Sequence, residues 1–200
     1  MVILGSGMKT ALMEAYASAV GHVPHNLRHQ FILVGGAALV ILGSNRSTED
    51  VDFAVSAEAL HAFFDGATGD IRFVRDSNDI WTYICQANGI QVGIEFLAAG
   101  GPFAPNIKVY QAVGEGFCAG LGELARMKAA AACGRGEDKD QSDFRWLIER
   151  MSETGESFER VELTDDDRDN LAEAAEDLGG EWVRKLTLLR AWRGGRIDRG

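Results

Sequence analysis

The chain is poor in cysteine, in positive charge and in long apolar runs. Its three cysteines, Cys85, Cys118 and Cys133, are odd in number and widely spaced. That spacing excludes a disulfide framework and a clustered zinc site, and leaves them as reduced core residues. Twenty Lys and Arg stand against thirty Asp and Glu, a formal charge of −10. A surface that follows a nucleic-acid backbone along its whole extent is thereby disfavoured; a neutral or cationic partner is mildly favoured, and a local basic patch stays open. Nowhere do eighteen apolar residues run together, and "MVILGSGMKT" has no basic region ahead of its short apolar stretch. Neither a membrane span nor a signal peptide is expected, and the expected location is the cytoplasm.

What is present suffices for a sizeable core. Of 200 residues, 46% are hydrophobic and 8% aromatic, enough for one globular domain with room for a subdomain. Residues 8 to 20 have helical spacing, and a loop holding Pro24 leads to the apolar "FILV" at 31 to 34. After Gly35-Gly36, "AALVILG" reads as a short buried helix and "DVDFAV" as a strand, followed by a helix capped by Ser56. "IRFV", "IWTYICQA" and "QVGIEFLAA" read as strands, the last two joined at Asn88-Gly89. From about Gly120 four helical segments follow, and Thr164 with Asp167 forms a capping box. The expected fold class is α+β: a mixed-sheet core over residues 1–118, then a helical C-terminal region, 119–200, packed on it.

Two glycine motifs carry no chemistry. "GSGMKT" has Met8 where a phosphate loop needs glycine, and the spacing predicts a helix after it in place of a strand-led turn. "GEGFCAG" at 114 to 120 has the wrong spacing for a dinucleotide fingerprint and reads as a loop. The histidines His22, His25, His29 and His61 show no metal-ligand spacing.

The chemistry lies at Asp50-Val51-Asp52. Alternate residues of a strand share a face, so both carboxylates project together while Val51, Phe53 and Val55 face the core. At about 5 Å two such charges repel by roughly 3 kcal/mol for an effective dielectric of 20, so the pair either holds a proton or binds a divalent cation. All-oxygen donors favour Mg2+ or Mn2+. An isolated Asp-x-Asp also occurs pointing into water from an edge strand, so the surroundings decide. Gly35-Gly36 at a strand-to-helix turn allows backbone N–H groups to approach a phosphate closely. Arg46, Ser47 and Thr48 offer a charge-assisted donor and hydroxyls to a phosphate or a carboxylate. Glu95, on the strand face opposite Val92, Ile94 and Phe96, can complete a carboxylate triad.

An apolar strand ending in Val34-Gly35-Gly36, a spacer, then Asp50-Val51-Asp52-Phe53, with an acid in a later strand, resembles the nucleotidyltransferase superfamily of the DNA polymerase β type. "GGAAL" with "RSTEDVDF" is most similar to the branch holding abortive-infection toxins and small antibiotic-modifying enzymes. "LGELARMKAAAACGRGEDKDQSDFRWL" is similar to that branch's later motifs: a Lys on an apolar helix, an Arg, then Lys-Asp-x-x-Asp. The resemblance spans roughly residues 31 to 147 and implies an NTP substrate, with Mg2+ or Mn2+ as cofactor. It makes Asp50, Asp52 and Glu95 catalytic residues and metal ligands, although the commoner third acid is Asp. It assigns nucleotide binding to Gly35, Gly36, Arg46, Ser47, Lys128 and Asp143. Read without it, Lys128 is a lysine snorkelling along an Ala-rich helix, and Lys139, Asp140 and Asp143 form a helix cap with a local ion pair.

The expected reaction is Mg-dependent transfer of a nucleoside monophosphate from an NTP to an acceptor hydroxyl, with pyrophosphate released. A small-molecule acceptor is preferred on charge grounds, with tRNA the competitor. A non-catalytic nucleotide-binding or regulatory module keeping the same fold is the alternative, and the sequence does not specify an oligomeric state.

Overall fold

The computed structural model describes residues 5–101 and 104–191. The chain divides into two compact units, Met1–Ala119 and Gly120–Gly200. In the first, helix α1 (Ser6–Gly21) and a 3-10 turn (His25–Gln30) precede strand β1 (Phe31–Val34), helix α2 (Gly35–Ile41), strand β2 (Asp50–Val55) and helix α3 (Ala57–Ala67). Strands β3 (Phe73–Arg75), β4 (Trp81–Ile84), β5 (Gln91–Ala98), β6 (Tyr110–Val113) and β7 (Gly116–Ala119) follow. Together they form one mixed sheet in the order β3-β4-β5-β2-β1-β7-β6. The β2–β5 and β1–β7 pairings are parallel. With the helices this makes an α+β fold.

All four residues of β1 are buried, which explains its uninterrupted apolar run, since a central strand covered on both faces has no polar side. In β2, Val51, Phe53, Ala54 and Val55 are buried, whereas Asp50 and Asp52 are half-buried. An aromatic cluster anchors these strands. The Phe31 and Phe53 rings pack tilted at 4.3 Å between centroids, and Phe63 of α3 lies 5.0 Å from Phe96 and 5.5 Å from Trp81. Burying each such ring contributes about 1.5–3 kcal/mol. The Ser56 hydroxyl caps α3 by accepting the Ala59 N–H at 3.2 Å.

Two details depart from the sequence reading. The β4–β5 hairpin does turn at Asn88-Gly89, but the Cys85 N–H donates to the Ile90 carbonyl at 2.9 Å and encloses four residues. Gly89 adopts φ +71, and the Asn88 amide donates to the Gly7 carbonyl at 2.8 Å. Glu14 of α1 holds the same hairpin, its carboxylate accepting the Gln86 N–H at 2.7 Å and the Tyr83 hydroxyl at 2.9 Å. The second departure is at 114 to 120, which is not a loop. Gly114 (φ +55) and Glu115 turn β6 into β7, with Val113 opposite Gly116. The short "GFCA" strand is stabilised by pairing with β1, Ile32 opposite Phe117, a long-range partner that local pattern does not reveal. "GSGMKT" enters α1 as a helix start.

The second unit is helical: α4 (Leu121–Arg135), α5 (Asp138–Thr154), a 3-10 turn (Phe158–Arg160), α6 (Asp165–Leu178) and α7 (Gly180–Leu188). Gly136 and Gly155 end α4 and α5 in the left-handed region, at φ +64 and +72. The capping box of Thr164 and Asp167 is formed at the start of α6. Among the described residues, no helix is long and apolar enough to cross a membrane.

Candidate active site

Register brings the acids together. In the parallel β2–β5 pair Asp50 lies opposite Gly93 and Asp52 opposite Glu95. One carboxylate oxygen from each of Asp50, Asp52 and Glu95 falls within 4.8 Å of the other two. Asp50 and Asp52 are half-buried and Glu95 is exposed. Among the described residues this is the one group of three side chains placed to share a metal ion.

The Gly-Gly turn is built around these acids. Gly35 sits at φ +64, and a Cβ there would meet Oδ2 of Asp52 at 1.7 Å. A Cβ on Gly36 would meet the Thr48 hydroxyl at 2.7 Å and the Arg46 Cζ at 2.9 Å. Both glycines thus clear space for side chains that follow ten to seventeen residues later. Thr48 is buried, and its hydroxyl donates to Oδ1 of Asp50 at 2.5 Å. Arg46 is half-buried, with Nε donating to the Ser47 carbonyl at 3.2 Å, and Ser47 is exposed. The sequence grouped Thr48 with Arg46 and Ser47 as general donors. Thr48 precedes β2, which begins at Asp50, so strand periodicity gave no signal for its partner.

Three hard carboxylate donors, converging where a turn has been cleared for one of them, fit a divalent cation of the Mg2+ or Mn2+ kind. The histidines stay apart from this cluster. His22 contacts Asp70 at 2.8 Å, and His29 contacts the Gln30 amide at 3.3 Å.

Lys128 and Asp143 meet in the second unit. The Lys128 ammonium lies 2.9 Å from Oδ1 of Asp140 and 2.8 Å from Oδ2 of Asp143, and Arg135 approaches Oδ2 of Asp140 at 2.9 Å. Burial of Asp140 pushes its carboxyl up, but Lys128 and Arg135 together override this and hold it below its ordinary value. Lys128 is therefore a linchpin of a buried ion network, which the snorkelling reading did not foresee. Asp140 and Asp143 are buried with their carboxylates turned onto Lys128, while Lys139 bonds Glu137 at 2.9 Å.

Over residues 21–194 the chain matches the model of a family described as the nucleotidyl transferase AbiEii toxin of a type IV toxin–antitoxin system. Among solved structures, it is similar to JHP933 from Helicobacter pylori, with a TM-score of 0.52 and 18% identity over 96% of this chain and 83% of that one. A second H. pylori protein, given provisionally as a nucleotidyltransferase, is similar with a TM-score of 0.51 and 18% identity over 96% of this chain and 86% of its own. No curated protein sequence matches the chain at a significant level. At that identity the two structures speak for the fold, and the match across most of the chain speaks for descent: the chain belongs to the AbiEii nucleotidyl transferase toxin family.

Proposed function

We propose that the protein transfers a nucleoside monophosphate from an NTP to an acceptor hydroxyl, in a metal-dependent reaction that releases pyrophosphate. The observation that carries this reading is the convergence of Asp50, Asp52 and Glu95 within 4.8 Å beside the Gly35-Gly36 turn, in a member of a nucleotidyltransferase family. These three residues would hold Mg2+ or Mn2+, which when bound neutralises phosphate charge and polarises the reacting oxygens. Glu95, the solvent-facing acid of the three, accepts the proton of the acceptor hydroxyl. The bond from that oxygen to the α-phosphorus forms as the bond to pyrophosphate breaks. Gly35, Gly36, Arg46 and Ser47 border the acids and take the triphosphate, with Arg46 as its charge-assisted donor. Nucleotide binding by Lys128 and Asp143, paired with each other at 2.8 Å in the second unit, is part of the same proposal.

A small hydroxylated or aminated acceptor is preferred to tRNA, because RNA binding exchanges phosphate counterions for Lys and Arg, and the chain carries −10. Several basic residues near the C-terminus have local partners. Arg168 donates to the Ala191 and Leu163 carbonyls, Lys185 lies over the Trp182 ring and pairs with Glu181, and Arg190 pairs with Glu159. Arg193, Arg196 and Arg199 lie outside the described residues.

The test incubates labelled NTP, Mg2+ and the protein with total cellular RNA or with small polyhydroxylated and aminated acceptors, at low and high salt. Labelled small acceptors support the reading. Labelled tRNA that fades with added salt would move the acceptor to RNA. An NTP that raises Tm only with Mg2+, yet yields no pyrophosphate with any acceptor, would leave a nucleotide-binding module in place of an enzyme.

A further inference from the structure

Between α2 and β2 the chain runs through Arg46, Ser47, Thr48 and Glu49. Of these, Ser47 and Glu49 are exposed, yet Thr48 is only 7% exposed. A hydroxyl withdrawn from water requires a partner, and this one donates to Oδ1 of Asp50 at 2.5 Å, the short end of an O–H···O⁻ bond. Its seat is specific. A Cβ on Gly36 would come within 2.7 Å of the hydroxyl and 3.0 Å of the Thr48 Cβ, so glycine at 36 is what admits threonine at 48. A β-branched side chain is also stiff at χ1, so the hydroxyl is aimed before any ligand arrives.

We propose that Thr48 is a positioning residue of the metal site, a role resting on the nucleotidyltransferase reading above. By holding Oδ1 it fixes the rotamer of Asp50 against repulsion from Asp52 and Glu95, and commits the opposite carboxylate oxygen to the cation. A protein donor on a ligating carboxylate is worth about 10–100-fold in metal affinity, because it removes the cost of orienting the ligand.

The test is titration of Mn2+ alone into the full chain, with free Mn2+ read by EPR, for the parent, Thr48→Val and Thr48→Ser. Thr48→Val keeps the shape and removes the donor, and should weaken Mn2+ binding by roughly tenfold or more, whereas Thr48→Ser keeps the donor and stays within about threefold of the parent. Metal-free Tm is recorded for each, and Thr48→Ala replaces Thr48→Val should the latter fail to fold. Equal affinity in the parent and the donor-free variant overturns the proposal and leaves the enzymatic reading standing. Equal losses in the Val and Ser variants assign the effect to disturbed packing around position 48 and not to the donor, and also overturn it. A parent chain that binds no Mn2+ defeats the enzymatic reading itself, and this role with it.

Discussion

The Asp52 carboxylate occupies the space that a side chain on Gly35 would need. With 1.7 Å between Oδ2 and a hypothetical Cβ, and a backbone at φ +64, any side chain at position 35 is strained and must displace Asp52. Gly35→Ala is expected to lower stability by more than about 1 kcal/mol, since alanine is strained at positive φ. It should also push Asp52 out of register with Glu95 and end pyrophosphate release. Urea unfolding and a pyrophosphate assay measure the two effects; an equally stable, active variant would refute the clearance role.

Asp50→Asn and Asp52→Asn should each abolish pyrophosphate release while the chain stays folded. In metal-free buffer either change relieves like-charge repulsion, so Tm should hold or rise. Differential scanning calorimetry with and without Mg2+ separates the two conditions. Undiminished turnover in either variant would remove the carboxylates from the mechanism.

Lys128→Ala should be destabilising by roughly 3–5 kcal/mol, because it leaves the buried Asp140 and Asp143 without their shared cation. Adding Asp140→Asn should restore part of the loss. At a temperature where all variants are folded, a raised KM for NTP together with a lowered kcat would mark phosphate contact. Unchanged kinetics would confine Lys128 to the ion network.

Acid should destabilise the protein through Asp70 and Asp140. Hydrogen bonds from Arg72, opposed by burial and aided by His22, hold the Asp70 carboxyl well below the carboxylate range. Lys128 and Arg135 hold Asp140 low against burial. Both groups stay ionised in the folded chain where the unfolded chain already binds protons. Their stabilisation is therefore complete above the ordinary value of 3.8 and is lost as pH falls through the lower folded values. Asp70→Asn should flatten the fall of unfolding free energy on the acid side, measured by chemical denaturation between neutral pH and the acid limb. An unchanged slope would show that Asp70 is not held low.

Asp50, Asp52 and Glu95 were legible because a two-residue period and an acid among apolar neighbours are local facts. Their meeting as a triad was expected, but the register that achieves it was not local information, since it depends on β2 and β5 pairing across more than forty residues with Asp52 opposite Glu95. The same limit hid β7, four residues long and given strand character by β1. Gly35 and Gly36 stood out in the sequence as places of close approach, with phosphate as the guest; the structure adds nearer guests, Asp52 and Thr48. Lys128 could be placed on a helix, but which acids meet its ammonium follows from how α4 and α5 pack.

The parallel pairing of β2 with β5 also dates the site in the life of the molecule. A nascent chain that has emerged only as far as β4 carries Asp50 and Asp52 but lacks Glu95, and the strand that aligns the third acid is the next to be made. A ribosome must therefore complete β5, and the chain must close the β2–β5 pairing, before three carboxylates can meet. In a member of a toxin family, assembly of the candidate site is thus tied to completion of a single strand, β5.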